Sequence, residues 1–339
     1  MHMSDSLINP AIGGGMWAVS IGLISYSAKK ISKKIDEKIV PLMGILGAFI
    51  FAAQMINFAI PGTGSSGHLG GGLILSVILG PYAGFLVMAS ILTVQALFFA
   101  DGGLLALGCN IFNLGFFTCF IAYPLIYKKI VVDNSDKIKI TIGAVLAAII
   151  GLQLGAFSVV WQTCFSGMVA LSFGDFLLLM QPIHLAIGVV EGLVTAALVL
   201  FVAKAQPDIL DQTTSSKFPI KKLAVIFLII TAIVGSFFSW FASSDPDGLE
   251  WSVEKVISGS SENDSSSKVK GLHETLEAIQ TKVAILPDYD FKSGGIESEG
   301  ETNSIVSLGT SVSGLVGGFI TLCLSILIGF SLKKFNRSS

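Results

Sequence analysis

The first two residues of the chain, Met1 and His2, carry the atoms of a metal chelator. The α-amine, the deprotonated amide nitrogen of His2 and its imidazole Nδ1 can close adjacent five- and six-membered rings around one ion. Such a set leaves one in-plane position for another imidazole and favours a square-planar ion such as Ni(II) or Cu(II). His68 is the candidate for that fourth position. A frayed chain end is the simpler interpretation of these two residues alone, so the rest of the chain has to decide.

The composition indicates an all-α polytopic membrane protein. Hydrophobic residues make up 52% of the chain and charged residues only 13%, with a mean hydropathy of +0.78, whereas water-soluble domains carry roughly a quarter charged residues. A membrane-spanning helix needs about 20 apolar residues. Candidate spans lie near residues 11–28, 40–60, 82–100, 104–127, 140–161, 181–203, 221–241 and 306–330.

The positive charges predict the orientation of these spans, because loops rich in Lys and Arg stay in the cytoplasm. Sixteen of the 21 basic residues fall on one side if the short apolar piece 69–80 counts as a crossing. We therefore expect a multi-pass protein of the cell membrane. Its N-terminus, His68 and the long loop 242–305 would lie outside, and its C-terminus in the cytoplasm.

The shortness of the 69–80 segment predicts a recessed position for His68. Twelve helical residues rise only about 18 Å, against a hydrocarbon core of about 30 Å. His68 would then lie in a crevice beside the glycine-rich segment 61–67, and a flexible N-terminus could reach it there. The alternative is an ordinary external loop that happens to contain a histidine.

The chain divides into a helical unit at residues 1–205, a polar cytoplasmic linker at 206–222 and a second unit at 223–335. The external loop 242–305 of the second unit contains thirteen acidic residues against five lysines. Such a loop could raise the local cation concentration near the site, or it could simply keep the segment soluble. After the turn Pro246-Asp247-Gly248, apolar residues at helical spacing predict a short amphipathic helix.

Several polar residues inside or beside the spans are candidates for supporting roles. Asp101 and Asn110 lie at the external end of the 104–127 helix and could orient His2 or His68 through their free ring nitrogens. His184 and Glu191 lie seven residues apart on one helical face. We expect these two to form buried hydrogen bonds to Asn110, Asn113 or Gln95 rather than to bind the ion.

The residues of the first unit resemble the CbiM/NikM-type substrate-binding subunits of cobalt/nickel energy-coupling-factor transporters. The resemblance covers residues 1–205 and rests on five motifs: Met1-His2-Met3, Gly64–Gly71, Phe99–Gly103, Leu107–Asn113 and His184–Gly192. The string Pro246-Asp-Gly-Leu-Glu250 resembles the PDGLE domain, and the two-helix layout of the second unit is similar to the N-type subunit. The resemblance implies a metal ligand set of Met1, His2 and His68.

The resemblance also implies a function and its partners. The chain would capture Ni(II) or Co(II) for ATP-driven uptake, together with two ATP-binding subunits and a transmembrane coupling subunit. It contains no Gly-x-x-x-x-Gly-Lys-[Ser/Thr] loop, so we expect that it is not the ATPase. We expect membrane lipid around it, no nucleic-acid partner and no cofactor beyond the transported ion.

Two other function classes remain open. A stand-alone divalent-metal carrier or channel would need a chain of carboxylates inside the membrane, and only Glu191, with Asp101 and Asp175, qualifies. A membrane enzyme, such as one acting in cobalamin assembly, would need a nucleophile or an acid/base cluster. No such cluster stands at catalytic spacing in the helices.

Overall fold

The computed structural model describes residues 2–33, 39–133, 136–205, 210, 221–257, 267–291 and 308–337. Most of the predicted linker 206–222 and part of the acidic loop lie outside these ranges. The helices are α1 (Pro10–Ser32), α2 (Ile39–Gln54), α3 (Gly72–Leu79), α4 (Pro81–Phe98), α5 (Leu107–Ile130), α6 (Lys137–Ser166), α7 (Phe173–Ala205), α8 (Lys221–Ser236), α9 (Gly248–Ile257), α10 (Ser267–Val283) and α11 (Leu308–Arg337).

The all-α polytopic class predicted from hydropathy is confirmed. Within the described ranges, six helices are long and apolar enough to cross a membrane: α1, α4, α5, α6, α7 and α11. Two shorter apolar helices, α2 and Leu223–Ser236 within α8, accompany them. Large apolar side chains such as Trp161, Phe165 and Leu193 are exposed on α6 and α7, as expected for helices that face lipid.

The predicted span 40–60 is wrong beyond Gln54. There the chain leaves the helix and forms an antiparallel hairpin of β1 (Phe58–Ile60) and β2 (Ser65–Gly67). Gly62 and Gly64 adopt φ values of 80° and 76°, which L side chains rarely reach. The glycines of this turn therefore allow the chain to reverse sharply, although the residues before it are as apolar as those of a helix.

The short helix α3 has eight residues, fewer than the twelve predicted for this segment, and so rises only about 12 Å. Gly71 and Gly80 flank it with φ values of 78° and 82°. Pro81 then begins α4 directly, because its fixed φ suits a first helical position. His68 therefore lies between the β1–β2 hairpin and this very short helix.

Glycines set the closest helix contacts. Gly188 and Gly192 of α7 face α6, where an added Cβ would lie 2.8 Å from Ile149 Cα and 2.4 Å from Val145 Cα. In the second unit, Gly314 of α11 faces Gly235 of α8, and a Cβ on Gly314 would lie 2.3 Å from the Gly235 carbonyl oxygen. Small residues let helix backbones approach closely in a bilayer, where packing drives association.

We predict that Gly192→Ala destabilises the protein. The new methyl group would overlap the backbone of α6 and force α6 and α7 apart, at a cost of about 1–3 kcal/mol in the free energy of unfolding. Thermal unfolding of the purified protein in detergent measures this. Gly14→Ala in α1 is the control, because nothing lies within 4 Å of that added carbon. Equal melting temperatures for the two variants would contradict the prediction.

Candidate metal centre

The structure brings His2 and His68 together although 65 residues separate them. Their rings are stacked, with centroids 5.0 Å apart and an interplanar angle of 12°. Both side chains are buried: that of His2 is 7% exposed, and His68 is 8% exposed. Met1, the third predicted ligand, lies outside the described residues, so its part stays a prediction.

The N-terminal segment can lie inside the protein because both the amide and the carbonyl group of Met3 are hydrogen-bonded. Its amide donates to Asn110 Oδ1 at 2.8 Å, and its carbonyl accepts from Asn110 Nδ2 at 3.2 Å and from the Gly103 amide at 2.9 Å. Met3 is fully buried. The Asn110 side chain therefore hydrogen-bonds to the backbone of the residue next to His2.

Further contacts hold the segment after Met3. Asp5 accepts a hydrogen bond from the Ala106 amide at 2.9 Å, and Asn9 Nδ2 donates to the Ser166 carbonyl at 2.7 Å. These bonds involve the start of α5 and the end of α6, so remote parts of the chain fix where the N-terminus runs. The threading of the N-terminus towards His68, predicted from the sequence, is what the structure shows for residues 2–9.

His68 is positioned by the loop that follows β2. Its Nδ1 lies 3.0 Å from the carbonyl oxygen of Leu69. The next two amides, those of Gly70 and Gly71, donate to the two carboxylate oxygens of Glu191 at 2.7 and 3.1 Å. Glu191 is completely buried on α7. One carboxylate thus fixes the backbone directly after the candidate ligand.

The predicted partners of His184 and Glu191 are therefore wrong. Glu191 binds loop backbone instead of a side-chain amide, and His184 Nδ1 lies 2.8 Å from the Met180 carbonyl of its own helix. The side-chain amides of Asn113 and Gln95, which were expected to bind these two residues, form hydrogen bonds with other side chains. Asn113 exchanges hydrogen bonds with Gln162, and Gln95 Nε2 donates to Gln54 Oε1.

Asp101 lies beside His2, with its Oδ1 atom 3.3 Å from His2 Nδ1. The other ring nitrogen, His2 Nε2, is buried and has no hydrogen-bond partner among the described residues. A buried nitrogen without a partner is unusual, because burial removes its bond to water without replacing it. The contact with Asp101 thus involves Nδ1, the ring nitrogen that the predicted chelate would use.

Burial also sets the protonation of the two histidines. It lowers the pKa of His2 to about 3 and the pKa of His68 to about 3, because the charged imidazolium loses its hydration. Both rings are therefore neutral at physiological pH, as metal ligands must be. Burial acts on Asp101 in the opposite direction and raises its pKa, against the hydrogen bond from Tyr289.

A cavity of about 570 Å³ opens in front of His2 and His68. Among the described residues that line it there is no Lys or Arg, but there are seven carboxylates: Asp5, Asp101, Asp245, Asp247, Glu250, Glu277 and Asp288. Five of the seven belong to the second unit. The sequence predicts that the external loop is acidic, but the position of the loop as one wall of the site follows only from the tertiary structure.

The second unit reaches the site through its Pro-Asp-Gly turn. Ser66 of β2 donates its amide to the Pro246 carbonyl and its hydroxyl to the Asp245 carbonyl, each at 2.8 Å. Asp247 Oδ1 accepts the amides of Leu249 and Glu250 at 2.8 and 2.9 Å and so caps α9, the short helix predicted here. The turn thus binds the hairpin at Ser66, two residues before His68 in the chain.

Two family models match the chain. The one described as "Cobalt uptake substrate-specific transmembrane region" covers residues 2–209, and the PDGLE domain covers residues 221–334. The first contains His2, His68, Asp101 and Asn110. The second contains the turn and the acidic residues that wall the cavity.

Several known proteins are similar to this chain over much or all of its length. A putative fused nickel transport protein, NikMN, of Archaeoglobus fulgidus is 32% identical and is covered completely, as is this chain. A probable fused nickel transport protein, LarMN, of Lactiplantibacillus plantarum is 29% identical over 76% of this chain and 79% of its own. The crystal structure of a transition metal transporter matches with 28% identity and a TM-score of 0.54, covering 63% of this chain and 95% of that one.

We predict that Glu191→Gln destabilises the loop that carries His68. A neutral amide can accept from only one of the two glycine amides and turns its own N–H groups towards the other. We expect a loss of about 1.5–3 kcal/mol in the free energy of unfolding. Thermal unfolding in detergent measures it.

Thr195→Val, one helical turn further along α7, is the matched control. Thr195 is equally buried, and its hydroxyl has no partner among the described residues, so its loss should change little. An unchanged melting temperature for Glu191→Gln would mean that the loop does not depend on this carboxylate.

Proposed function

This chain belongs to the cobalt uptake substrate-specific transmembrane family, and on that premise we propose that it captures Ni(II) or Co(II) outside the cell for uptake. The observation that carries the proposal is the stacked pair of neutral, buried imidazoles of His2 and His68 at the inner end of an acidic cavity. Relatives named as nickel and cobalt transport proteins support the choice of ions.

The chemistry of capture follows from the atoms near His2. The terminal amine of Met1, the His2 amide nitrogen, a His2 ring nitrogen and His68 would together form a square plane of nitrogen ligands. Asn110 and Gly103 hold Met3 from its other side, so residue 2 reaches the ion from a fixed backbone. His2 Nδ1 faces Asp101 in the structure, so chelation through Nδ1 requires the ring to turn about its Cβ–Cγ bond.

The acidic cavity favours the approach of a divalent cation. Seven carboxylates, with no lysine or arginine among the lining residues that the structure describes, create a negative potential in front of the histidines. We infer that ions enter from this side and that it faces out of the cell, since basic residues concentrate at the opposite helix ends, as is typical of cytoplasmic loops.

Transport would require partners, because uptake against a gradient needs an energy source. We propose that two ATP-binding subunits and a transmembrane coupling subunit reorient this chain so that the ion is released inward. The exposed apolar faces of α6 and α7 are available to lipid or to such a subunit.

A stand-alone carrier or channel is the second candidate. The contacts of Glu191 argue against it. A carrier would use intramembrane carboxylates to pass the ion across. Glu191, the carboxylate buried most deeply in the helices, already accepts two backbone hydrogen bonds. Its oxygens serve the His68 loop and are not free to pass an ion on.

We predict that the purified full chain with its native N-terminus binds one Ni(II) or Co(II) ion, and that His2→Ala abolishes stoichiometric binding. Two extra residues ahead of Met1 should have the same effect, because they convert the terminal amine into an amide. Metal analysis after gel filtration and competition with a chelator measure both.

His273→Gln is the matched control, since His273 lines the same cavity but lies 3.1 Å from the Ile8 carbonyl and is not a proposed ligand. Binding that survives both N-terminal changes would refute the chelate and favour the carrier.

We also predict a defined pH dependence. Binding displaces about two protons below pH 7.7, one from the amine and one from the amide, so affinity should fall about 100-fold for each pH unit lost. The histidines should add nothing between pH 5 and 7, because their pKa values of about 3 leave them unprotonated there. Isothermal titration between pH 5 and 8 measures the slope.

A flat profile would contradict chelation through the amide. A slope that steepens below pH 6.5 would show that the imidazoles titrate as they do in water, and that burial does not hold them neutral.

A further inference from the structure

Gln280 of the second unit hydrogen-bonds to the turn that holds the N-terminal segment of the first unit. Its side-chain nitrogen, Nε2, donates to the Gly102 carbonyl at 2.7 Å and to the Ala96 carbonyl at 2.9 Å. An amide nitrogen of this kind carries two hydrogens, so the two bonds use both of them. Gln280 lies on α10 and is 9% exposed, so little water competes for these bonds.

The Gly102 carbonyl belongs to the same peptide group as the Gly103 amide, and that amide donates to the Met3 carbonyl at 2.9 Å. One planar peptide group therefore accepts a hydrogen bond from Gln280 and gives one to Met3. Hydrogen bonds connected in this way polarise one another. The second unit is thus linked to the backbone of the residue that follows His2.

The turn that contains this peptide group has a backbone conformation that depends on outside contacts. Ala100 has a φ of 57° and Gly102 a φ of 82°. Such a conformation at a non-glycine residue costs free energy and persists where surrounding contacts enforce it. Gly102 also packs against the site, since an added Cβ would lie 2.8 Å from Asn110 Nδ2 and 3.4 Å from His2 Cβ. A rotation of this peptide group would therefore disturb the surroundings of His2.

The second unit also completes the end of α4, which leads into the turn. The last carbonyl groups of a helix have no partners within the helix. Gln280 binds the carbonyl of Ala96. The amides of Ile285 and Leu286 donate to the Phe98 carbonyl at 2.9 and 3.2 Å. These last bonds join backbone to backbone, so α10 should stay attached to the first unit when the side chain at position 280 is changed.

We propose that Gln280 is a positioning residue for metal capture. It holds the Gly102–Gly103 peptide group in the orientation that binds Met3, and so fixes the backbone from which His2 reaches the ion. The inference rests on the proposed function and adds to it a role for one residue of the second unit. None of these contacts involves the His2 ring, so the rotation of the ring that chelation through Nδ1 requires leaves them in place. A ligand segment that is held in advance binds more tightly, because less freedom is lost on binding.

The alternative role for Gln280 is to cap α4 and stabilise the fold, and the two roles predict different results. Loss of a cap lowers the melting temperature and loosens the end of α4. Loss of positioning loosens the N-terminal segment and weakens metal binding. Amide hydrogen exchange in the protein without added metal, together with Ni(II) affinity, therefore separates the two roles.

The test compares the purified full chain with its native N-terminus with Gln280→Met and His2→Ala. Methionine is similar in length to glutamine but has no hydrogen-bond donor. Gln280→Asn, whose shorter side chain cannot reach both carbonyl groups, is the second variant. Gln153→Met is the matched control, because Gln153 Nε2 on α6 donates to the Gln181 carbonyl of α7 at 2.8 Å and Gln153 does not line the cavity.

Three quantities are measured for each protein. Competition with a chelator gives the Ni(II) affinity and the dissociation rate. Hydrogen exchange followed by mass spectrometry reports on the peptides that contain residues 2–9 and 100–106. Melting temperatures in detergent check that each variant folds.

We expect Gln280→Met to speed hydrogen exchange in residues 2–9 and to weaken Ni(II) binding on the order of tenfold, mainly through faster dissociation. Gln280→Asn should act in the same direction with a smaller loss. Gln153→Met should lower the melting temperature and leave the other two quantities unchanged.

Unchanged exchange in residues 2–9, or unchanged Ni(II) affinity, in the Gln280 variants would overturn the inference while His2→Ala still abolishes binding. Failure of both Gln280 variants to fold would favour the cap and overturn it as well. If His2→Ala binds Ni(II) normally, the proposed function falls and the inference with it, whatever the exchange data show.

Discussion

The paired hydrogen bonds between Asn110 and the backbone of Met3 are the interaction on which the candidate site depends. A chain terminus is usually mobile and hydrated, and it can be buried only if its amide and carbonyl groups find partners. Asn110 satisfies one amide and one carbonyl at residue 3, and Gly103 adds a second donor to that carbonyl. With residue 3 fixed, His2 lies next to His68. The chain terminus, and not a helix, thus carries His2 to this position.

A carboxylate supports each of the two histidines, one through the loop backbone and the other through contact with the ring. Glu191 binds the amides of Gly70 and Gly71, so it positions His68 through the loop backbone. Asp101 contacts the His2 ring directly and is bound from behind by Tyr289. The first arrangement lies within the first unit, whereas the second crosses between units. Asp101 therefore contacts both the second unit and His2.

Hydropathy and apolar spacing were enough to predict the membrane class, the six long apolar helices of the described residues and the helix α9, because these signals are local or averaged over about 20 residues. The predictions that failed did so for different reasons. The β1–β2 hairpin was missed because Phe58, Ala59 and Ile60 are as apolar as the helix before them. The partners of Glu191 and His184 were missed because they are backbone groups, the amides of Gly70 and Gly71 and the carbonyl of Met180. Every residue type offers such groups, so residue types do not indicate which of them a side chain binds.

Sequence alone determined which atoms are available: an N-terminal chelating unit, a second histidine beside a glycine-rich turn, and a pool of carboxylates in the acidic loop. Those are properties of residue type and spacing. Tertiary structure decided that His2 stacks on His68, that Asp101 faces His2, and that Tyr289 holds Asp101 from the other unit. These contacts join residues between 66 and 188 positions apart, or depend on where such contacts place a loop. Only the packing of all the helices brings them within a few ångströms of one another.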